Sequence, residues 1–115
     1  MVKKVFFNPR CSKCQIAKSF LEKKKVKYRI YDYLSKGFSE KDIREILKKG
    51  LKVDELIRKN EPEYEEHVKG KRLTENEKIK ILVKYPQLLQ RPIVISGNRA
   101  LIARDSKSLE KVPGM

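Results

Sequence analysis

Val2-Lys3-Lys4-Val5-Phe6-Phe7-Asn8-Pro9-Arg10-Cys11-Ser12-Lys13-Cys14 is the stretch on which the fold turns. Its first half, Val2 to Phe7, is short and mostly apolar, with β-prone Val and Phe, and predicts a buried strand that the turn-forming Asn8-Pro9 brings to an end. Both cysteines of the chain follow at once, as one Cys-x-x-Cys. From Ser12 to about Lys25, the apolar residues Ile16, Ala17, Phe20 and Leu21 recur at helical spacing, with Lys18, Glu22, Lys23 and Lys24 on the other face. Cys11 therefore stands at the N-terminus of a helix that follows directly on a strand.

Further along, Val26, Tyr28 and Ile30 alternate with Lys27, Arg29 and Tyr31, the period of a strand that faces a core on one side. A strand-helix-strand unit of this length implies a parallel, right-handed crossover. Ser39 and Asp42 form a capping-box pattern ahead of Ile43, Ile46 and Leu47, a helix that ends near Gly50, and a short helix from Val53 to about Arg58 follows. The run Glu61-Pro62-Glu63-Tyr64-Glu65-Glu66 concentrates acid as a local partner for lysines, and its proline disfavours one regular helix across the whole run. Thr74 and Glu77 repeat the capping-box pattern ahead of Ile79, Leu82 and Val83, with Pro86 as the stop.

Pro92-Ile93-Val94-Ile95 and Ala100-Leu101-Ile102-Ala103 are β-prone runs joined by Ser96-Gly97-Asn98-Arg99, a hairpin signal, and Ser106 is placed to cap a last short helix running through Leu109 to Val112. The expected fold class is α/β: a thioredoxin-like mixed four-stranded sheet flanked by helices, with a helical insertion between the β-α-β unit and the hairpin. The 115 residues suit one domain, 1–115.

Lys and Arg number 29 against 15 Asp and Glu, a formal charge of +14, which draws oxyanions, acidic protein surfaces or nucleic acid. The lysines are spread along the chain instead of being clustered on a recognition helix, which argues against dedicated nucleic-acid binding, and a solvated surface is the simplest role for most of them. No window approaches the roughly 18 apolar residues of a membrane span, and Met1 leads into the first strand without a cleavable signal pattern, so no membrane association and a cytoplasmic location are expected. One Cys pair without a second pair or a His cluster argues against a structural zinc site. In a reducing compartment such a pair is more often catalytic or redox-sensing than a staple, although a Cys-x-x-Cys also arises by chance.

Asn8-Pro9-x-Cys11, Leu56-Ile57-Arg58-Lys59-Asn60 and Arg91-Pro92-Ile93-Val94, in this order and over nearly the whole chain, resemble the arsenate reductase family that couples to glutaredoxin. The resemblance implies Cys11 as nucleophile and Arg58, Arg91 and Arg104 as the arginines around the oxyanion, with Arg99 a nearby competitor for the last position. Planar guanidinium groups suit that task, because they give forked hydrogen bonds to tetrahedral oxyanions and stay charged at every relevant pH. The resemblance also implies that Pro92 stands opposite the active cysteine, usually through a cis bond; the bland alternative is an ordinary proline at a strand's first residue. Glutathione, glutaredoxin or thioredoxin would be the electron donor, with no bound cofactor.

The chain departs from that family at two positions. Well-studied members carry a histidine just before Asn-Pro, where this chain has Phe7, and the single histidine, His67, lies in the acidic insertion. Activation of Cys11 is then expected from the helix end and from Arg10 and Lys13, which can bring a thiol pKa from about 8.5 toward neutrality. The second departure is Cys14, one helical turn on, which could resolve an adduct on Cys11 as an internal thiol or could be a packed helical residue. The same family contains Spx-type regulators that bind RNA polymerase and switch through a Cys-x-x-Cys, and a general disulfide oxidoreductase is a further reading.

Overall fold

The computed structural model describes residues 3–114, so Val2, read above as the start of the first strand, lies outside the described residues. Strand β1 (Lys3–Phe7) leads into helix α1 (Ser12–Lys23), and β2 (Tyr28–Asp32) returns parallel to β1, with Phe7 opposite Asp32 at the C-terminal end of the ladder. The helical insertion comprises α2 (Tyr33–Lys36), α3 (Glu40–Lys48), α4 (Val53–Leu56), α5 (Pro62–His67) and α6 (Glu75–Lys84), then a 3-10 turn at Pro86–Leu88. Strands β3 (Ile93–Ser96) and β4 (Arg99–Ile102) form the hairpin, and α7 (Ser106–Lys111) ends in a second 3-10 turn, Val112–Gly114. The sheet order is β2-β1-β3-β4, parallel between β1 and β2 and antiparallel elsewhere, as the mixed sheet expected from the sequence requires.

Alternation along the two central strands divides the core into two layers. Phe6 and Ile93 point to the face covered by α3 and α6, where they join Ile43, Ile46, Ile79 and Leu82. Val5, Phe7 and Val94 point to the opposite face and meet Cys14, Ala17 and Leu21 of α1 and Leu109 of α7. Burial of each of the Val, Leu, Ile and Phe side chains among them is worth about 1.5–3 kcal/mol, so both layers hold the central strands firmly. The capping boxes at Ser39/Asp42 and Thr74/Glu77 are both formed, and Gly97 turns the hairpin at a φ of 58° that glycine takes without steric cost. Among the described residues, no helix is long and apolar enough to cross a membrane.

Several local expectations are corrected. The buried stripe of α1 runs through Cys14, Ala17 and Leu21, which turns Ile16 to the far side of the helix, where it is 55% exposed. Strand β2 lies at the sheet edge, and its faces are shared: Val26 and Tyr28 pack on the α1 side, Tyr31 on the opposite layer, and Ile30 is 38% exposed. Helix α4 stops at Leu56, because Ile57 is extended and bridges Leu89, so Arg58 is outside the helix. Pro62 does not interrupt a helix but begins one as its first residue, where a missing N–H costs nothing. The cap of α7 is Asp105, whose Oδ1 accepts from the Ser108 N–H at 2.8 Å; the expected cap, Ser106, is the first helical residue.

Candidate active site

Asn8 organises the turn between β1 and α1. Its carbonyl accepts from the Cys11 N–H at 3.0 Å, its Oδ1 accepts from the Arg10 N–H at 2.9 Å, and its own N–H donates to Cys14 Sγ at 3.4 Å. The residue is buried, which fits a polar side chain whose bonds are made inside the protein. Cys11 is the N-cap of α1 in extended conformation, and its side chain makes no capping bond of hydrogen-bond length. It is partly exposed, whereas Cys14, one turn on, is fully buried beneath it, and both thiols are free.

A second segment approaches from the insertion. Around the Ile57–Leu89 bridge, the Arg58 N–H donates to the Leu88 carbonyl at 2.7 Å and the Gln90 N–H to the Leu56 carbonyl at 2.7 Å. Glu61 then stands between two arginines, with Oε1 3.4 Å from Arg58 Nε and 3.9 Å from Arg91 Nη2. Arg91 also donates from Nη1 to the Gln87 carbonyl at 3.1 Å, and the peptide between Arg91 and Pro92 is cis. Arg104 lies farther out: it is exposed and donates from Nη1 to Gln90 Oε1 at 3.0 Å, in a cleft that also has Ile57, Lys59 and Asn60 in its wall.

Burial alone would raise the Cys11 thiol, but the N–H of Cys14, the Arg91 guanidinium and the N–H of Lys13 outweigh it and hold Cys11 below the ordinary thiol range. The cation that acts on the sulfur is therefore Arg91. Arg10 and Lys13, to which the sequence assigned that task, have exposed side chains, and Lys13 contributes through its backbone. Burial pushes the Cys14 thiol up to about 12, helped by the neighbouring Cys11 and opposed by the Asn8 N–H. Cys14 thus stays protonated where Cys11 ionises.

Cys11, Cys14 and Arg91 come together directly, Arg58 joins through Glu61, and Arg104 joins only through Gln90. In the sequence Glu61 stands out only as part of an acidic run, although its spacing of three from Arg58 is a usable signal. Tyr33, whose hydroxyl lies beside Arg91, carried no sequence signal. His67 stacks on Tyr85 at 4.4 Å between ring centroids and lies 3.4 Å from Glu66, so it is absorbed in the insertion.

A β-α-β unit with a cysteine at the helix N-terminus and a cis-proline at the start of the antiparallel hairpin defines a thioredoxin-like protein. Within that class the chain belongs to the ArsC family, whose model matches residues 6–112. It is 30% identical to an arsenate reductase of Neisseria meningitidis serogroup B, over 95% of this chain and 96% of that protein. Its similarity to the global transcriptional regulator Spx of Streptococcus pneumoniae is 27% identity over 85% of this chain and 75% of that one. The solved arsenate reductase from Vibrio cholerae superposes with a TM-score of 0.85 at 26% identity, covering 99% of this chain and 97% of that one.

Proposed function

We propose that the protein is a thiol-dependent reductase of arsenate, with Cys11 as nucleophile. The observation that carries this reading is the pairing of a partly exposed, low-pKa Cys11 at the start of α1 with the Arg91 guanidinium. A helix N-terminus offers unpaired N–H groups to an anion, and arginine adds a charge-assisted fork, so the place that ionises the thiol also attracts a tetrahedral oxyanion. Arg58 and Arg91 would hold it, with Arg104 at the outer rim.

The Cys11 thiolate attacks arsenic, an S–As bond forms, and one arsenate oxygen leaves as water after protonation. A second thiol, from glutathione or Cys14, then attacks the Cys11 sulfur. The S–As pair of electrons stays with arsenic, which departs as arsenite, and a disulfide remains. Glutaredoxin or thioredoxin returns the thiols to the reduced state. The test is arsenate-dependent oxidation of the reduced protein, with Cys11→Ser as control. Absence of turnover with glutathione plus glutaredoxin and with thioredoxin rejects the proposal.

A second reading is favoured by one observation, the buried Cys14 directly beneath Cys11. Such a pair can also act as a redox switch, as in an Spx-like regulator that meets RNA polymerase, or as a general disulfide exchanger. Polymerase retained from cell extract in only one redox state supports the regulator. Reduction of a protein disulfide without arsenate supports the exchanger.

A further inference from the structure

We propose that the Tyr33 hydroxyl is a ligand of the oxyanion held at Cys11, a neutral donor that completes the cradle begun by Arg58 and Arg91. The assignment deepens the oxyanion reading of the site and rests on it. Tyr33 follows β2 immediately, and Asp32 of that strand pairs with Phe7, so the ring stands next to the turn that carries Cys11. The side chain is completely buried, its ring packed on Phe6 at 6.4 Å and on Phe38 at 5.6 Å between centroids.

For packing alone phenylalanine would serve there, and the hydroxyl is what needs an explanation. It has no hydrogen-bond partner, and neither do the buried Nε atoms of Arg58 and Arg91. An unmet buried donor costs about 1–3 kcal/mol, and native proteins rarely keep one without use. The charge that acts on the hydroxyl is Arg91, the same guanidinium that acts on Cys11, and Arg58 is joined to Arg91 through Glu61, so these unmet donors gather around the thiol site. A tetrahedral anion at Cys11 supplies acceptors for them together. Burial holds the phenol up at about 12, so it donates throughout the working pH range.

The test uses the full reduced chain and inorganic phosphate, tetrahedral like arsenate and inert toward thiols, with protection of Cys11 from iodoacetamide as readout. In Tyr33→Phe the phosphate concentration for half-protection is expected to rise about tenfold to a hundredfold, the weight of a hydrogen bond to a charged group. The anion-free thermal midpoint is expected to rise, because an unmet donor has been removed. Equal half-protection in both proteins overturns the assignment while leaving the oxyanion reading intact. Failure of phosphate and of arsenate to protect even the unaltered chain overturns both. A changed pH profile of Cys11 alkylation with unchanged phosphate protection overturns it as well, because the hydroxyl then serves the thiolate. Should Tyr33→Phe not fold, 19F spectra of the unaltered chain labelled with fluorotyrosine decide: a tyrosine resonance that moves on phosphate addition supports the assignment, and unmoved resonances reject it.

Discussion

Ile57 pairs with Leu89 in an isolated antiparallel bridge, and this contact brings Arg58 alongside the segment that ends in Arg91. Leu89 is fully buried in the core layer opposite the one that holds Cys14. Leu89→Ala is expected to cost about 2–5 kcal/mol, as large-to-small changes in a packed core do. It should also weaken phosphate protection of Cys11, and denaturant unfolding together with the alkylation assay measures both effects.

Arg91 is the cationic partner of Cys11, so Arg91→Ala should move the pH profile of Cys11 alkylation toward alkaline and slow the reaction severalfold at neutral pH. The linkage has a definite sign. A folded pKa below the unfolded value means that ionised Cys11 favours the folded state; its contribution is present above the ordinary thiol pKa and is lost as pH falls through the folded value. Cys11→Ala should remove that increment from stability measured across the window.

Cys14 has the opposite sign. Its thiol is held near 12, so its contribution is present below the ordinary value of 9.0 and is lost as pH rises toward 12. In the native protein iodoacetamide should label Cys11 alone. Oxidation should join the pair, seen as loss of a hydrogen pair by mass, whereas Cys14→Ala with oxidised glutathione should stop at a glutathione adduct on Cys11. A free, unbridged Cys14 after oxidation of the unaltered protein would mean that it is a packing residue.

Glu61 occupies the space between Arg58 and Arg91 without a hydrogen bond to either Nε. It holds the two guanidinium groups together and competes with any anion for them. Glu61→Gln should therefore lower the phosphate concentration for half-protection. Its cost in stability should be only about 1 kcal/mol, because the carboxylate is partly exposed and the pairs are long. Weaker phosphate protection in Glu61→Gln would show that orienting the arginines outweighs competing for them.

The parts of this fold that are local in sequence were readable in it. The boxes at Ser39/Asp42 and Thr74/Glu77 lie within one turn, and the hairpin turn at Gly97 is a neighbouring-residue signal. Sequence patterning puts Ile16 and Ile30 in the interior, yet an apolar residue near a stripe or on an alternation need not be covered by anything; Cys14 holds the centre of the α1 stripe, and among the described residues no strand lies outside β2. Asp105 outcompeted Ser106 by one position, an offset that propensity does not resolve. The residues of the site were named from a pattern, but their contacts were not legible. Arg91 reaches Cys11, and Glu61 reaches Arg91, only through sheet pairing and the Ile57–Leu89 bridge, which are long-range.

The contact between Arg91 and Cys11 also governs when the thiol becomes hazardous to its surroundings. The cysteine emerges early from the ribosome and the arginine late, so a growing or partly unfolded chain carries a sulfhydryl without its cationic partner. The share of its reactivity that Arg91 supplies arrives with completion of the sheet, when β3 docks against β1 and carries its preceding arginine to the sulfur.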